Sequence, residues 1–444
     1  MRANTAQIPS TATADSEREI YSKITWRLLP FLFVCYIFAF LDRVNIGFAA
    51  LQMKQDLNFS DAAYGLGAGL FFVGYFLFEV PSNLLLVKIG AKKTLARIMI
   101  CWGLISASFA FVQTPLQFYI ARFLLGAFEA GFFPGIVLYL TYWYPTARRG
   151  RVIGAFMAAI PVAGVIGGPL SGWIMSSMHG HTGWSGWQWM FLIEGIPSVI
   201  LGLLVLVVLT NRPAEAKWLD SREKKLIEIN IDASMQGAHH EHSFGKALKD
   251  SKIYVLGLVY CGLAIGFYAL SFWMPTLIRS YGVSDPLDIG LLTAIPNIVA
   301  ILTMIAVSRS SDRTMERRWH TAMCLTIGCV GLFATTMVSE NLVLAMIAIT
   351  VAQACMSATM PVFWTIPTSC LSGSAAAGGI AMINSIGLVG GFASPAIIGW
   401  IKTATGSLTS GLYLASASLL AGAILLLIGI PGQVLKQPDS TVSN

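Results

Sequence analysis

Predominantly apolar stretches recur twelve times along the chain, each long enough to cross a bilayer as a helix. They fall at about 27–50, 62–87, 94–112, 117–142, 151–175 and 188–210, then at about 253–279, 288–308, 320–338, 342–366, 376–402 and 410–430. The runs are uniformly apolar and do not alternate, which fits helices and not the strands of a barrel. A single long polar segment, with the mixed-charge run from Glu215 to Glu228, separates the sixth stretch from the seventh. The pattern predicts an all-α polytopic membrane protein. A six-helix bundle over 27–210 is joined by a connector over 211–252, expected to carry a solvated helix, to a second bundle over 253–430. Tails at 1–26 and 431–444 complete it.

Composition agrees with that reading. Of 444 residues, 55% are hydrophobic and 11% charged, with a mean hydropathy of +0.69. Soluble domains carry about 25% charged residues, so most of this chain is built for a solvent other than water. The net charge of +7 follows the membrane and does not form a nucleic-acid-binding patch. Of 29 Lys and Arg, 24 fall in the two tails, the connector and the loops on that same side; Lys54, Arg279 and Lys402 fall on the other. Basic residues in short loops stay in the cytoplasm, so both termini are expected there, in a multi-pass protein of the inner membrane. The polar, mixed-charge N-terminus is unlike a cleavable signal peptide. Trp184, Trp187 and Trp189 fit an aromatic belt at the outer interface.

Chemistry outside the spans is sparse. The seven cysteines (35, 101, 261, 324, 329, 355 and 370) lie in or beside apolar segments without CxxC spacing, as small packing residues do. His239, His240 and His242 cluster in the connector with no further ligand nearby, so no metal is expected. The sequence carries no nucleophile–base arrangement and no phosphate loop, which argues against an enzyme. The two halves echo each other instead. Val87 to Lys93 and Asp312 to Arg318 occupy equivalent loops 225 residues apart, and spans five and eleven share glycine pairs followed by Gly-Trp-Ile. Two repeated bundles with a site between them is a transporter architecture.

Four charges lie inside the first bundle. Asp42 and Arg43 stand side by side in span one; Arg122 and Glu129 are seven apart in span four, about 10 Å along one helix face. Two readings are open: a structural set of satisfied ion pairs, or a pathway for an anion and protons, which is where intramembrane charges concentrate. Arginine keeps its proton and offers a fork matched to a carboxylate, so Arg43 and Arg122 are candidates for anion binding. A carboxyl can be filled or emptied, so Asp42 and Glu129 are candidates for proton coupling. Tyr75 in span two, Trp364 between Pro361 and Pro367 in span ten, and Asn384 in span eleven are candidates for lining the site. Glu79 and Glu194 suit gating or structural roles. Asp312 and Arg313 suit a latch at the cytoplasmic side.

The loops after spans two and eight resemble the signature G-x3-D-R-x-G-R-R of the major facilitator superfamily. The second copy keeps Asp312, Arg313, Arg317 and Arg318 but has Ser308 and Met315 in place of the glycines; the first keeps Gly90, Lys92 and Lys93. More specifically, FLDRVNIGFA, EVPSNLLLVKIGAKK, R-x6-E-A-G-F-F-P-G, WQWMFLIEGIPS and SDRTMERRWH are similar to the anion:cation symporter branch, from about Arg27 to Pro431. That branch includes bacterial transporters for tartrate, galactonate, rhamnonate, phthalate and 4-hydroxyphenylacetate. In its galactonate-type members, the acids matching Asp42 and Glu129 and the arginine matching Arg122 are assigned coupling and binding roles. The resemblance implies proton-driven uptake of a small organic carboxylate by a monomer, with no cofactor beyond the proton gradient. Proton-driven export on the same fold is the alternative, and a non-transporting receptor a further one. The expected device is simple: Arg43 holds the anion, and Asp42 senses that hold through its proton. The interior of span five, Phe156 to Gly168, has almost no polar side chain, which points to a small hydroxy-acid or aromatic carboxylate over a large sugar acid.

Overall fold

The computed structural model describes residues 11–236, 250–338, 341–370 and 373–431. His239, His240 and His242 lie outside them, as do most of the C-terminal tail and the first ten residues. Among the described residues there is no strand, and twelve helical spans are long and apolar enough to cross a membrane. The first six are Glu17–Asp56, Asp61–Ile89, Ala91–Phe111, Pro115–Thr141, Thr146–Ser177 and Gly186–Val208. The second six are Ser251–Ser280, Pro286–Thr314, Arg318–Met337, Leu342–Ser369, Gly378–Thr405 and Thr409–Gly429. They form the two six-helix bundles that the hydrophobic pattern predicts.

Three spans are broken near their middle. Span one is a helix Thr11–Val44 followed by Ile46–Asp56, span four is Pro115–Glu129 followed by Phe132–Thr141, and span five is Thr146–Met157 followed by Ala159–Ser177. The break in span four turns on Gly131, whose φ of +86° is a region open to glycine. A Cβ there would also stand 2.5 Å from the Ser82 hydroxyl. Residues beside such breaks escape the apolar face rule, since a half-helix end carries partial charge of its own. Arg43 and Glu129 each occupy the last turn of a first half-helix.

With an even number of spans, the start of span one and the end of span twelve lie at one end of the molecule. At the opposite, distal end the bundles meet along two seams of backbone on backbone. A Cβ on Gly65 would lie 2.2 Å from the Pro395 carbonyl oxygen, and one on Gly399 2.4 Å from that of Asp61. On the other flank, a Cβ on Gly290 would lie 2.2 Å from the Gly168 oxygen, and one on Gly172 2.3 Å from that of Pro286. Only glycine permits that approach. Polar contacts reinforce it: Tyr64 donates to the Phe272 carbonyl at 2.9 Å and the Ala62 amide to the Thr403 hydroxyl at 2.7 Å. Asp61 pairs with both Lys54 and, at 3.2 Å, Lys402, and Arg279 donates to the Leu51 carbonyl. Towards the chain-terminal end the flank formed by spans five and eight parts, for a Cβ on Gly154 or Gly150 would meet nothing within 4 Å.

The connector carries a helix, Ser221–Gln236, whose mixed-charge face is exposed at Arg222, Lys225, Glu228 and Asp232. It docks on the first bundle: Trp218 stacks on Trp143 at 5.6 Å, Ile227 is fully buried, and Glu223 accepts from Lys23 at 2.9 Å. Lys23 belongs to a first helix that starts at Thr11, so much of the expected N-terminal tail is an extension of span one. Leu226, Ile227 and Ile231 of the connector helix are therefore its docking face, while Ile229 stays exposed.

Candidate functional site

The site is built where the broken helices of spans one and four meet. Asp42, Arg122 and Glu129 are each only 1% exposed, and Arg43 is partly exposed. Arg43 and Glu129 form an ion pair, with Nε and Nη2 of Arg43 both donating to Oε1 of Glu129. The second carboxylate oxygen, Oε2, is buried without a partner. Around the guanidinium lie the rings of Phe71 at 5.1 Å, Tyr75 at 5.5 Å and Phe40 at 5.8 Å. Tyr75 presents its ring face to the cation. From the other bundle, the Tyr268 hydroxyl stands 3.5 Å from Nη1 of Arg43.

Asp42, expected to sense the anion held by Arg43, does not share that pairing. Successive helix residues point about 100° apart, and Asp42 turns into the first bundle. There it accepts hydrogen bonds from Trp102 Nε1 at 3.1 Å, the Ser106 hydroxyl at 2.7 Å and the Ser198 hydroxyl at 2.6 Å. These donors are all neutral. The acid on the Arg43 fork is Glu129.

Arg122 lies deeper, towards the distal end. Its donors reach the carbonyls of Gly67 at 3.4 Å, Ala68 at 3.3 Å and Arg43 at 3.5 Å, with the rings of Phe71 and Phe272 at 5.2 and 5.8 Å. Among the described residues no carboxylate lies within ion-pair range of it. Two guanidinium groups, Arg43 and Arg122, therefore stand beside one directly paired carboxylate, Glu129.

The remaining candidates divide. Asn384 donates to both carboxylate oxygens of Glu79, at 3.2 and 3.4 Å, linking span eleven to span two. Trp364 packs with Tyr260 at 5.0 Å and Phe363 at 5.5 Å in the second bundle. Glu194 is buried and accepts from the Ser171 hydroxyl at 2.7 Å and from Asn45 Nδ2 at 3.0 Å. Asp312 pairs with Arg317 at 2.6 Å within the turn between spans eight and nine, and Arg313 is exposed. That pairing joins the end of span eight to the start of span nine within the second bundle.

Sequence reasoning missed Tyr268 and Tyr260, which carry no charge to mark them in an apolar run. It also missed the polar lining of a cavity of about 60 Å³ between spans one, five, seven, eight and ten, to which Asn45, Ser171, Thr293, Asn297, Gln353 and Ser357 contribute. Span five contributes Ser171 alone to that polar lining. The amides come from spans one, eight and ten, where Asn45, Asn297 and Gln353 were a visible signal.

These features place the chain in a class: the family description Major Facilitator Superfamily matches residues 32–395, and the chain belongs to that superfamily of membrane transporters. Among its relatives, an Agrobacterium vitis protein provisionally named a tartrate transporter is 50% identical over 94% of this chain and 92% of its own length. A protein of Acinetobacter baumannii named a quinolone resistance transporter is 40% identical over 97% of this chain and 99% of its own. In fold, the chain is similar to the inward-open xylose transporter XylE from E. coli, with a TM-score of 0.72 at 12% identity, covering 93% of this chain and 96% of that one.

Proposed function

We propose that this transporter carries a small organic carboxylate into the cell together with protons, by alternating access. The observation that carries the reading is the Arg43–Glu129 pair, a guanidinium fork held by an acid whose second oxygen is free, standing between the two bundles. A substrate carboxylate entering this site competes for the fork. Glu129, once displaced, is a buried carboxylate without its counter-charge, and a proton at Oε2 removes that cost. Anion and proton then favour each other's binding by the same factor, as linkage requires. Arg122 holds the backbone carbonyl of Arg43 while the exchange takes place. Asp42, in its neutral cage, is the second acid of the coupling set. One proton with a monoanion moves no net charge; a second would add about 2.3 kcal/mol of drive per 100 mV.

The bias of Lys and Arg supports cytoplasmic termini in the inner membrane, which makes the sealed distal end the outer one and this state inward-facing. Asn384, Trp364 and Tyr75 are the proposed walls of the pocket, in a chain that acts as a monomer. The name of the tartrate-type relative supports a hydroxy-acid. The name of the quinolone-resistance relative supports a second reading, proton-driven export. Two cavity arginines, Arg43 and Arg122, disfavour an exporter of organic cations.

The test is a panel of carboxylates, including tartrate, a sugar acid and an aromatic acid, applied to proteoliposomes with an imposed pH gradient. Carboxylate-dependent proton uptake is expected for at least one. Its absence across the panel, with quinolone-dependent flux in its place, would turn the reading to export.

A further inference from the structure

Glu194 is the buried acid that the coupling scheme above leaves unused. It lies on span six, one turn before Ser198, whose hydroxyl donates to Asp42. Asn45, which donates to Glu194, lies one turn after Asp42 on span one. The two carboxyls are therefore held by adjacent turns of the same two helices. Their cages also share a design. Each has one donor that cannot accept, Trp102 Nε1 for Asp42 and Asn45 Nδ2 for Glu194, and each places its other oxygen on a serine hydroxyl, Ser106 or Ser171. A hydroxyl donates to a carboxylate and, turned round, accepts from a carboxylic acid. Such a cage keeps its hydrogen bonds with the proton on or off, which a purely structural carboxylate does not require.

The cages differ in access. Ser171 and Asn45 both line the cavity between the bundles. At about 60 Å³ the cavity exceeds the space a water needs. Two buried amide oxygens of lining residues, Oδ1 of Asn45 and Oε1 of Gln353, have no protein partner and suit a water's hydrogens. The titratable group facing Glu194 is Asp42 from span one; span five presents Ser171, and among the described residues no cation faces it. Two buried carboxylates facing each other without a cation are costly together, so loading one acid alters the other.

We infer that Glu194 is a proton-binding site of the transport cycle, reached from the inter-bundle cavity through Ser171 and Asn45 and coupled to Asp42 through span six. The inference rests on the symport reading and adds a site to it. The proton settles on Oε1, the Ser171 hydroxyl turns from donor to acceptor, and the carboxylate charge is cancelled. Because span eight closes the cavity against span five, separation of the bundles opens this acid to the distal side.

The experiment uses the full chain in proteoliposomes, with an internal pH dye and the panel carboxylate that moves protons with the wild-type chain. Glu194→Gln is expected to keep carboxylate counterflow within about twofold while losing uphill accumulation about tenfold or more. Ser171→Ala, which keeps the acid and removes the reversible hydroxyl, is expected to keep counterflow and to move the midpoint of the pH profile. Wild-type accumulation and pH profile in Glu194→Gln overturn the inference. So does loss of counterflow along with accumulation in both variants, since that marks a structural role. If Glu194→Gln fails to fold, an unmoved pH profile in Ser171→Ala overturns it alone. A wild-type chain that moves no protons with any carboxylate refutes the symport reading first, a result distinct from coupling that survives the substitution.

Discussion

Asn384 and Glu79 lie 305 residues apart in the chain and share hydrogen bonds of 3.2 and 3.4 Å across the line where the bundles face each other. One was expected to meet substrate and the other to act at a gate. The bond between them makes both expectations parts of one contact, which exists only while spans two and eleven stay together.

Glu79→Gln exchanges a charge-assisted acceptor for a neutral one and is expected to weaken this bridge by about 1 kcal/mol. The resting population then shifts about fivefold away from the state described here. Labelling of a cysteine placed at Gly154, in a chain freed of other cysteines, reads the shift. Labelling unchanged from the parent would remove Glu79 from the conformational balance.

Arg43→Lys keeps the charge beside Glu129 and removes the fork. It is expected to leave expression intact and to raise the carboxylate Kd about tenfold or more. Arg43→Ala leaves Glu129 buried and unpaired, at a cost of about 3–5 kcal/mol, so its melting temperature should fall well below that of Arg43→Lys. Equal affinity in Arg43→Lys and wild type would show that the fork does not meet the anion.

How much of this was legible in the sequence depends on what fixes it. Span number and extent follow from runs of about 20 apolar residues, and those were readable. Which residues carry charge inside the membrane was readable too. Which charges touch was not, because contact depends on the rotation of two helices, and periodicity describes one. Asp42 and Arg43 are neighbours in sequence yet face different compartments, and Arg43 found Glu129, 86 residues on. The break at Ala130–Gly131 had a signal in the EAGFFPG run, where Gly131 and Pro134 interrupt helix chemistry. Tyr268 had none, for a tyrosine among aromatic neighbours looks like packing.

Met315 occupies the left-handed region at φ +51°, in the loop where the first half has Gly90 at φ +91°. The two positions share a positive φ but not a turn, since ψ is +26° at Met315 and +155° at Gly90. Met315→Gly is expected to raise stability by about 0.5–1 kcal/mol, after the greater freedom of glycine in the unfolded chain is counted. Thermal unfolding in detergent measures it; a lower melting temperature would show that the Met315 side chain contributes more than its backbone strain costs.

Gly290→Ala places a Cβ 2.2 Å from the Gly168 oxygen at the distal seam. The closed distal state is expected to lose population while the separate bundles keep their own cores. Transport should fall about tenfold or more, and a thiol reagent added at the distal side should react faster with a cysteine at Thr293. Wild-type transport in this variant would mean that the seam yields at little cost.

The same seams decide how roughly the two halves move. Where side chains interlock, each must withdraw from its socket before the surfaces can part, and every withdrawal adds a step to the barrier. Gly65 against Gly399 presents bare backbone, and Gly168 against Gly290 adds to it only the short side chain of Thr293. They work as smooth bearings, able to seat tightly and still release in one motion, so that the timing of the cycle falls to the few polar contacts set beside them.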